Sequence, residues 1–271
     1  MIKFIRLLEF ELGRFMKFLI PVIILSGIVQ FVALFSMILG YKDYLKNASA
    51  SNVLTQTFSM HDLTGGGLFP LAILIIPLLF IVYSFFTWYR EWLGKNTFIY
   101  RLLMLPINRM AIFYSKAITF LLGGLIAFAI QFGLYTIISV ILKNVIQAEH
   151  FIPLNIHNVI HPYEMVQQVL FPTSGYEFLH TYGFAFAALL VLFTAILMER
   201  TYNLRGLIVG IVYFTGYFLL YTQFNALYYA NSTTWMIRPS QIFLLKSAYI
   251  VLMMLISSVI SHLLLKNKVK V

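Results

Sequence analysis

The histidines and carboxylates raise a metal question first. "HNVIHPYE" sets His157 and His161 four residues apart, with Glu164 three further on. On a continuous helix those three side chains share one face, the arrangement that binds zinc. Pro162 interrupts such a helix, and no Glu follows His157 directly as a zinc protease requires. His150 and His180 are near only in sequence. The pattern therefore reads as outer-loop histidines, and no metal is expected. The alternative is a membrane-embedded lipid-modifying enzyme that uses His157, His161 and Glu164 at the outer face. The absence of Cys removes thiolate ligands, disulfides and Cys nucleophiles. No G-x-x-x-x-G-K-[ST] loop occurs, and Gly65-Gly66-Gly67 has no Lys behind it, so ATP chemistry within this chain is not expected.

The second concentration of chemistry is "REWLGKNTFIYRLLMLPINR", residues 90–109, which carries four of the nineteen Lys and Arg residues between two apolar runs. It opens with Arg90-Glu91, breaks at Gly94, continues as the apolar-basic turn "TFIYRLLML" and stops at Pro106. A short helix lying across a membrane face fits this pattern better than an inert basic loop does. The inert loop would explain the charges but not the Glu, Gly and Pro that frame the turn.

The elements that must position these residues are membrane spans. Of 271 residues, 61% are hydrophobic and 10% charged, and the mean hydropathy is +0.88. A soluble domain of this size needs more surface charge, so the bilayer is the expected solvent. A span needs about 20 mostly apolar residues. Six segments qualify: 18–41, one within 68–89, 117–142, 178–198, 206–229 and 247–265. The expected fold is an all-α polytopic bundle of six transmembrane helices, residues 1–271 forming a single transmembrane domain. The net charge of +10 flanks the apolar runs, as membrane topology requires, which argues against a nucleic-acid partner. With the N-terminus inside, fourteen Lys and Arg residues fall on the inner segments and five (Lys42, Lys46, Lys143, Arg238, Lys246) on the outer ones. Both termini are therefore expected in the cytoplasm. No charged residue lies deep in a span, which counts against a proton-coupled carrier.

Residues 1–17 read as a separate interfacial helix. Ile5, Leu8, Leu12 and Phe15 fall on one side at 100° per residue, and Lys3, Arg6, Arg14 and Lys17 on the other. Pro21 is expected near the start of the span that follows. The first span is too long for a cleaved signal sequence. The outer loops 42–67 and 143–177 are expected to hold short helices packed near the outer surface. "Gly206-Leu-Ile-Val-Gly210" offers a small-residue face, either for packing within one protomer or for a protomer interface, the former being the commoner use.

Three motifs, Glu91-x-x-Gly94-Lys95-Asn96-Thr97, then Leu102-Leu103-x-Leu105-Pro106-x-x-Arg109 and Ser115-Lys116, together resemble the first cytoplasmic loop of type-2, exporter-class permeases of ABC transporters. The motif covers about 30 residues; the topology, with six spans, inner termini and an N-terminal elbow helix, covers the whole chain. The resemblance implies that residues 90–116 hold a coupling helix docking on a separate ATPase. Glu91, Gly94, Lys95, Arg101, Pro106 and Arg109 would lie in or near it. It implies a second permease copy or paralogue as partner, ATP and Mg bound by the ATPase subunits, and a bacterial plasma membrane location. Export of an amphipathic or hydrophobic cargo, such as a peptide, lipid-like molecule or drug, would follow. Two departures leave subgroup and cargo open. Lys95-Asn96 stand between the Gly and the Thr, and the larger outer loop lies between the third and fourth spans rather than the fifth and sixth. A non-transporting immunity or sensor subunit on the same scaffold is a further alternative.

Overall fold

A computed structural model describes residues 2–48, 58–59, 62–63, 67–92, 108–147, 150–152, 172, 174–234 and 239–267. Six helices carry the fold: α1 (Ile2–Ala48), α2 (Leu68–Trp92), α3 (Arg109–Val145), α4 (Gly175–Tyr202), α5 (Leu204–Thr234) and α6 (Pro239–Asn267). Each contains a window long and apolar enough to cross a membrane, so the chain is a multi-pass helical membrane protein. Only helices satisfy every backbone amide within one apolar segment, which is why each run takes this form. Large apolar side chains such as Ile208, Val212 and Leu219 on α5 are more than half exposed. Water would penalise that surface, and lipid does not.

Two helices run well beyond the expected spans. The 47 residues of α1 reach about 70 Å at 1.5 Å per residue, against a hydrocarbon thickness of about 30 Å. The helix continues through Pro21, which offers no amide proton of its own but lies inside α1 and not at the start of a new element. The expected separation of an interfacial helix 1–17 from the first span is thus absent. The buried face explains why. Leu7, Glu11, Phe15, Leu19, Val22, Ser26 and Gln30 follow one another at three- and four-residue steps, so one stripe passes through both segments without a phase slip. Of the apolar face expected for residues 1–17, Phe15 is buried while Ile5 is exposed. Lys3, Arg6 and Lys17 are exposed, and Arg14 is half-buried.

The chain forms two compact units. One comprises residues 12–81 and 122–178. Its apolar core joins Leu34 and Tyr41 of α1, Phe69 and Ile73 of α2, and Ile138 and Leu142 of α3. Gly123 lets α3 approach α1, since a Cβ there would fall 2.0 Å from the Phe15 ring. A buried polar node ties the same three helices together. Ser26 Oγ donates to the Ala72 carbonyl at 2.7 Å, and Gln30 Nε2 donates to Gln131 Oε1 at 2.6 Å. Beyond the helix ends, two-residue strands β1 (Phe58–Ser59) and β2 (Phe151–Ile152) pair in parallel, with Phe58 opposite Phe151. This pairing stands where short packed helices were expected; residues 153–171 lie outside the described ones. Phe58 and His150 both make edge contacts with the rings of Tyr41 and Tyr44, closing α1's far end.

The other unit comprises residues 1–11, 82–121 and 179–271. Its core includes Ala187 and Val191 of α4, Tyr217 of α5, and Ile250 and Met253 of α6. Phe184, Tyr217 and Tyr249 stack in sequence with centroid spacings of 5.1 and 5.7 Å. Thr194 Oγ1 lies 2.9 Å from Ser261 Oγ, and the Tyr213 hydroxyl 2.7 Å from Ser257 Oγ, linking all three helices. Helices α4 and α5 are joined by Asn203 alone, which holds φ at 55°. Asn tolerates this left-handed conformation better than most residues. So tight a reversal brings the first turn of α5 onto α4. At Gly206 a Cβ would sit 1.9 Å from the Met198 carbonyl oxygen, and at Gly210 one would sit 2.9 Å from that of Ala195. The small-residue face therefore packs within the chain.

A Gly206→Ala variant must push two backbones apart, and we expect a loss of about 1–3 kcal/mol, the usual range for overpacking. Gly216→Ala meets nothing within 4 Å and should be neutral or gain up to about 1 kcal/mol from helix propensity. Thermal unfolding in detergent distinguishes the two.

Candidate functional site

The second unit brings charged side chains of three helices together. The α2–α3 connection leaves from it at Trp92 and returns at Asn108, so the geometry of its two roots sets what it can do. Glu91 occupies the last turn of α2, and Lys116 lies two turns into α3. Lys116 Nζ donates to Glu91 Oε1 at 2.7 Å and to Glu11 Oε1 of α1 at 2.9 Å. All three side chains are withdrawn from solvent, with exposures of 0% for Lys116 and Glu91 and 4% for Glu11. The ammonium also lies 5.6 Å from the Trp88 ring centre. This is a buried ion triad joining three helices.

Helix geometry delivers these groups together. Glu11 continues the Leu7–Phe15–Leu19 stripe of α1, so it faces inward with that stripe. Glu91 lies three residues beyond the fully buried Trp88, on the same face of α2. On α3, Lys116 follows Ile112 and Phe113 at the i+4 and i+3 positions, and both are buried. Desolvating an isolated charge costs several kcal/mol, whereas a paired one with charge-assisted hydrogen bonds is tolerated. All three residues lie in the outer turns of their helices. Their burial was not visible, because nothing local in any of the three segments reveals the partner.

Aromatic packing extends the triad to α4. Phe193 makes edge contacts with Trp88 of α2 and with Phe113 and Phe120 of α3, at centroid distances of 5.5, 6.0 and 5.7 Å. The Tyr89 hydroxyl donates to Glu199, and the Arg200 guanidinium lies 4.3 Å from the Tyr89 ring centre. At the other root, Asn108 caps α3, its Oδ1 accepting from the Met110 amide at 3.0 Å. Arg109 Nη1 donates to the Leu265 carbonyl of α6 at 2.8 Å. The start of α1, the end of α2, the start of α3, the α4–α5 turn and the end of α6 consequently share one end of this unit.

Of the residues singled out for coupling, Glu91 is buried in the triad and Arg109 braces α6. Gly94, Lys95, Arg101 and Pro106 lie outside the described residues, as do His157, His161 and Glu164. Among the described residues no group of three or more His, Asp or Glu side chains is placed to hold a metal ion. His150 approaches the Tyr41 hydroxyl at 3.5 Å, and His180 Nε2 lies 2.8 Å from the Tyr221 hydroxyl. Sequence reasoning missed Glu11 and the role of Lys116. The one available signal was a carboxylate in phase with a continuing apolar stripe.

Replacing Lys116 with Met strands two buried carboxylates, and we expect a loss of about 3–5 kcal/mol. Met at positions 11, 91 and 116 together should recover most of that loss, because apolar residues of similar volume replace buried ion clusters at little cost. Unfolding midpoints of the single and triple variants in detergent measure both.

Comparison with known proteins adds no relative: no family model matches the chain, and no curated protein or solved structure matches it either.

Proposed function

We propose that this chain is the membrane subunit of an ATP-driven transporter of the type-2, exporter-class kind. It would work with a second copy or a related permease and with two cytoplasmic ATPase subunits that bind ATP and Mg. The carrying observation is the mounting of the α2–α3 connection on the Glu11–Lys116–Glu91 triad. A connection rooted in flexible turns would absorb a push. Here both roots are fixed to α1 by charge-assisted hydrogen bonds and to α4 by the Phe193 cluster. Separating such a triad costs about 3–5 kcal/mol, well above thermal energy, so the joined helix ends move as one body.

The mechanism follows from that rigidity. ATP binding draws the two ATPases together, and their motion displaces residues 93–107. Glu91 and Lys116 pass the displacement to α2 and α3, and Glu11 passes it to α1. Tyr89–Glu199 and Arg109–Leu265 extend it to α4 and α6. The bundle shifts its population between inward- and outward-open states, by as much as the ATPases bind one state better than the other. The small outer segments and oily walls suit export of an amphipathic or hydrophobic cargo, such as a peptide, lipid-like molecule or drug. The end that carries the triad faces the cytosol, and the membrane is a bacterial plasma membrane.

Co-purification of the tagged chain with a Walker-motif ATPase encoded beside it tests the class. We expect a stable complex. In that complex Gly94→Leu and Arg101→Ala should lower permease-dependent stimulation of ATP hydrolysis about tenfold, a loss equivalent to 1.4 kcal/mol, while leaving the unfolding midpoint unchanged. Full activity of the purified chain with no nucleotide-hydrolysing companion would refute the reading.

A further inference from the structure

A proline inside a helix withholds an amide proton from the carbonyl four residues earlier, and its ring crowds that carbonyl. The helix kinks or loosens there. Among the described helices only α1 and α2 hold a proline beyond the first turn, Pro21 and Pro77. The carbonyls that lose an amide in this way are those of Lys17 and Ile73.

Two contacts between α1 and α2 put the prolines at one level. The Phe15 ring meets the Phe80 ring edge-on at 5.3 Å, and Ser26 Oγ donates to the Ala72 carbonyl at 2.7 Å. Pro21 lies between Phe15 and Ser26 along α1, and Pro77 lies between Ala72 and Phe80 along α2. Both helices are therefore weakened within the stretch that the same two contacts bound. Both prolines are exposed, whereas Leu19, Val22 and Ile76 beside them are buried. Packing between the helices uses those neighbours, so it does not explain the prolines. Crowding on the exposed side makes each helix curve towards its buried side. On α3 the Phe15 ring lies against Gly123, and a Cβ added at Gly124 would meet Phe80 only at 3.9 Å. Two consecutive glycines are poor helix formers, so α3 can follow a bend in its neighbours.

We propose that Pro21 and Pro77 form one joint, at which α1 and α2 bend together. The Phe15–Phe80 contact and the Ser26–Ala72 contact stay closed on either side, and the segments that carry them tilt about the level between. The joint does not depend on the transport reading, which concerns what pushes the helices.

The test uses the full chain in lipid nanodiscs. The native sequence has no cysteine, so Arg6→Cys carries a single trifluoromethyl tag on the exposed face of α1, four turns before Pro21. Pro21→Ala, Pro77→Ala and the double variant restore the missing amides at exposed positions. Each should raise the unfolding midpoint, which confirms that it folds. In the chain with both prolines we expect fluorine relaxation to show exchange on the μs–ms timescale of collective helix motion, and the double variant to reduce that exchange contribution about tenfold. Either single variant should remove most of it, because a joint with one stiff member cannot bend. Absence of exchange in the chain with both prolines would overturn the proposal, as would its persistence in the double variant. Full exchange in either single variant would show two separate kinks and would equally contradict it.

Discussion

One ammonium held between two carboxylates inside the protein fixes the arrangement at the charged end of this molecule. Lys116, Glu11 and Glu91 come from three helices and are nearly or fully withdrawn from solvent. Apolar packing alone would not specify that arrangement. In lipid, a Leu facing a neighbouring helix and a Leu facing an acyl chain differ little in free energy, so the hydrophobic effect gives weak guidance on rotation. Turning α1 by one residue, about 100°, would carry Glu11 away from Lys116 and leave charge uncompensated in a medium of low dielectric. The triad thus sets rotation and register where oily surfaces cannot.

Smaller polar nodes act in the same way elsewhere. Ser26, Gln30 and Gln131 join α1, α2 and α3 through the Ala72 carbonyl, and Thr194, Ser257, Ser261 and Tyr213 join α4, α5 and α6. Each such bond is worth about 0.6–2 kcal/mol in a membrane, so it directs packing without dominating stability. Close backbone approach at Gly206 and Gly210 supplies the complementary device, in which the absence of a side chain does the specifying.

The six apolar helices were legible in the sequence, because spanning a bilayer demands a long run of apolar residues that little else produces. Their lengths were not. Residues 1–17, with charges at 3, 6, 14 and 17 on one side, read as a separate interfacial helix, whereas the buried stripe of α1 runs on through them to Leu7. Glu11 and Lys116 were similarly opaque: 105 residues separate them, and nothing local in either segment reveals the partner. Glu91 was singled out for its neighbourhood rather than for its buried contact. The sequence left the GLIVG face open between packing within one protomer and a protomer interface, because small residues at four-residue spacing serve both; the close approach of Gly206 and Gly210 to α4 comes from the one-residue turn at Asn203. The β1–β2 pairing had no local signal, being set by where the ends of α1 and α3 bring Phe58 and Phe151.

The central claim is that the triad-bearing end, with the connection it roots, faces the cytosol. The chain has no cysteine, so a single introduced thiol reports position cleanly. Arg101→Cys places one in the α2–α3 connection and Lys46→Cys one at the far end of α1. In intact cells a membrane-impermeant maleimide should label position 46 and spare position 101, which should react only after the membrane is opened. Labelling of position 101 in sealed cells would contradict the account.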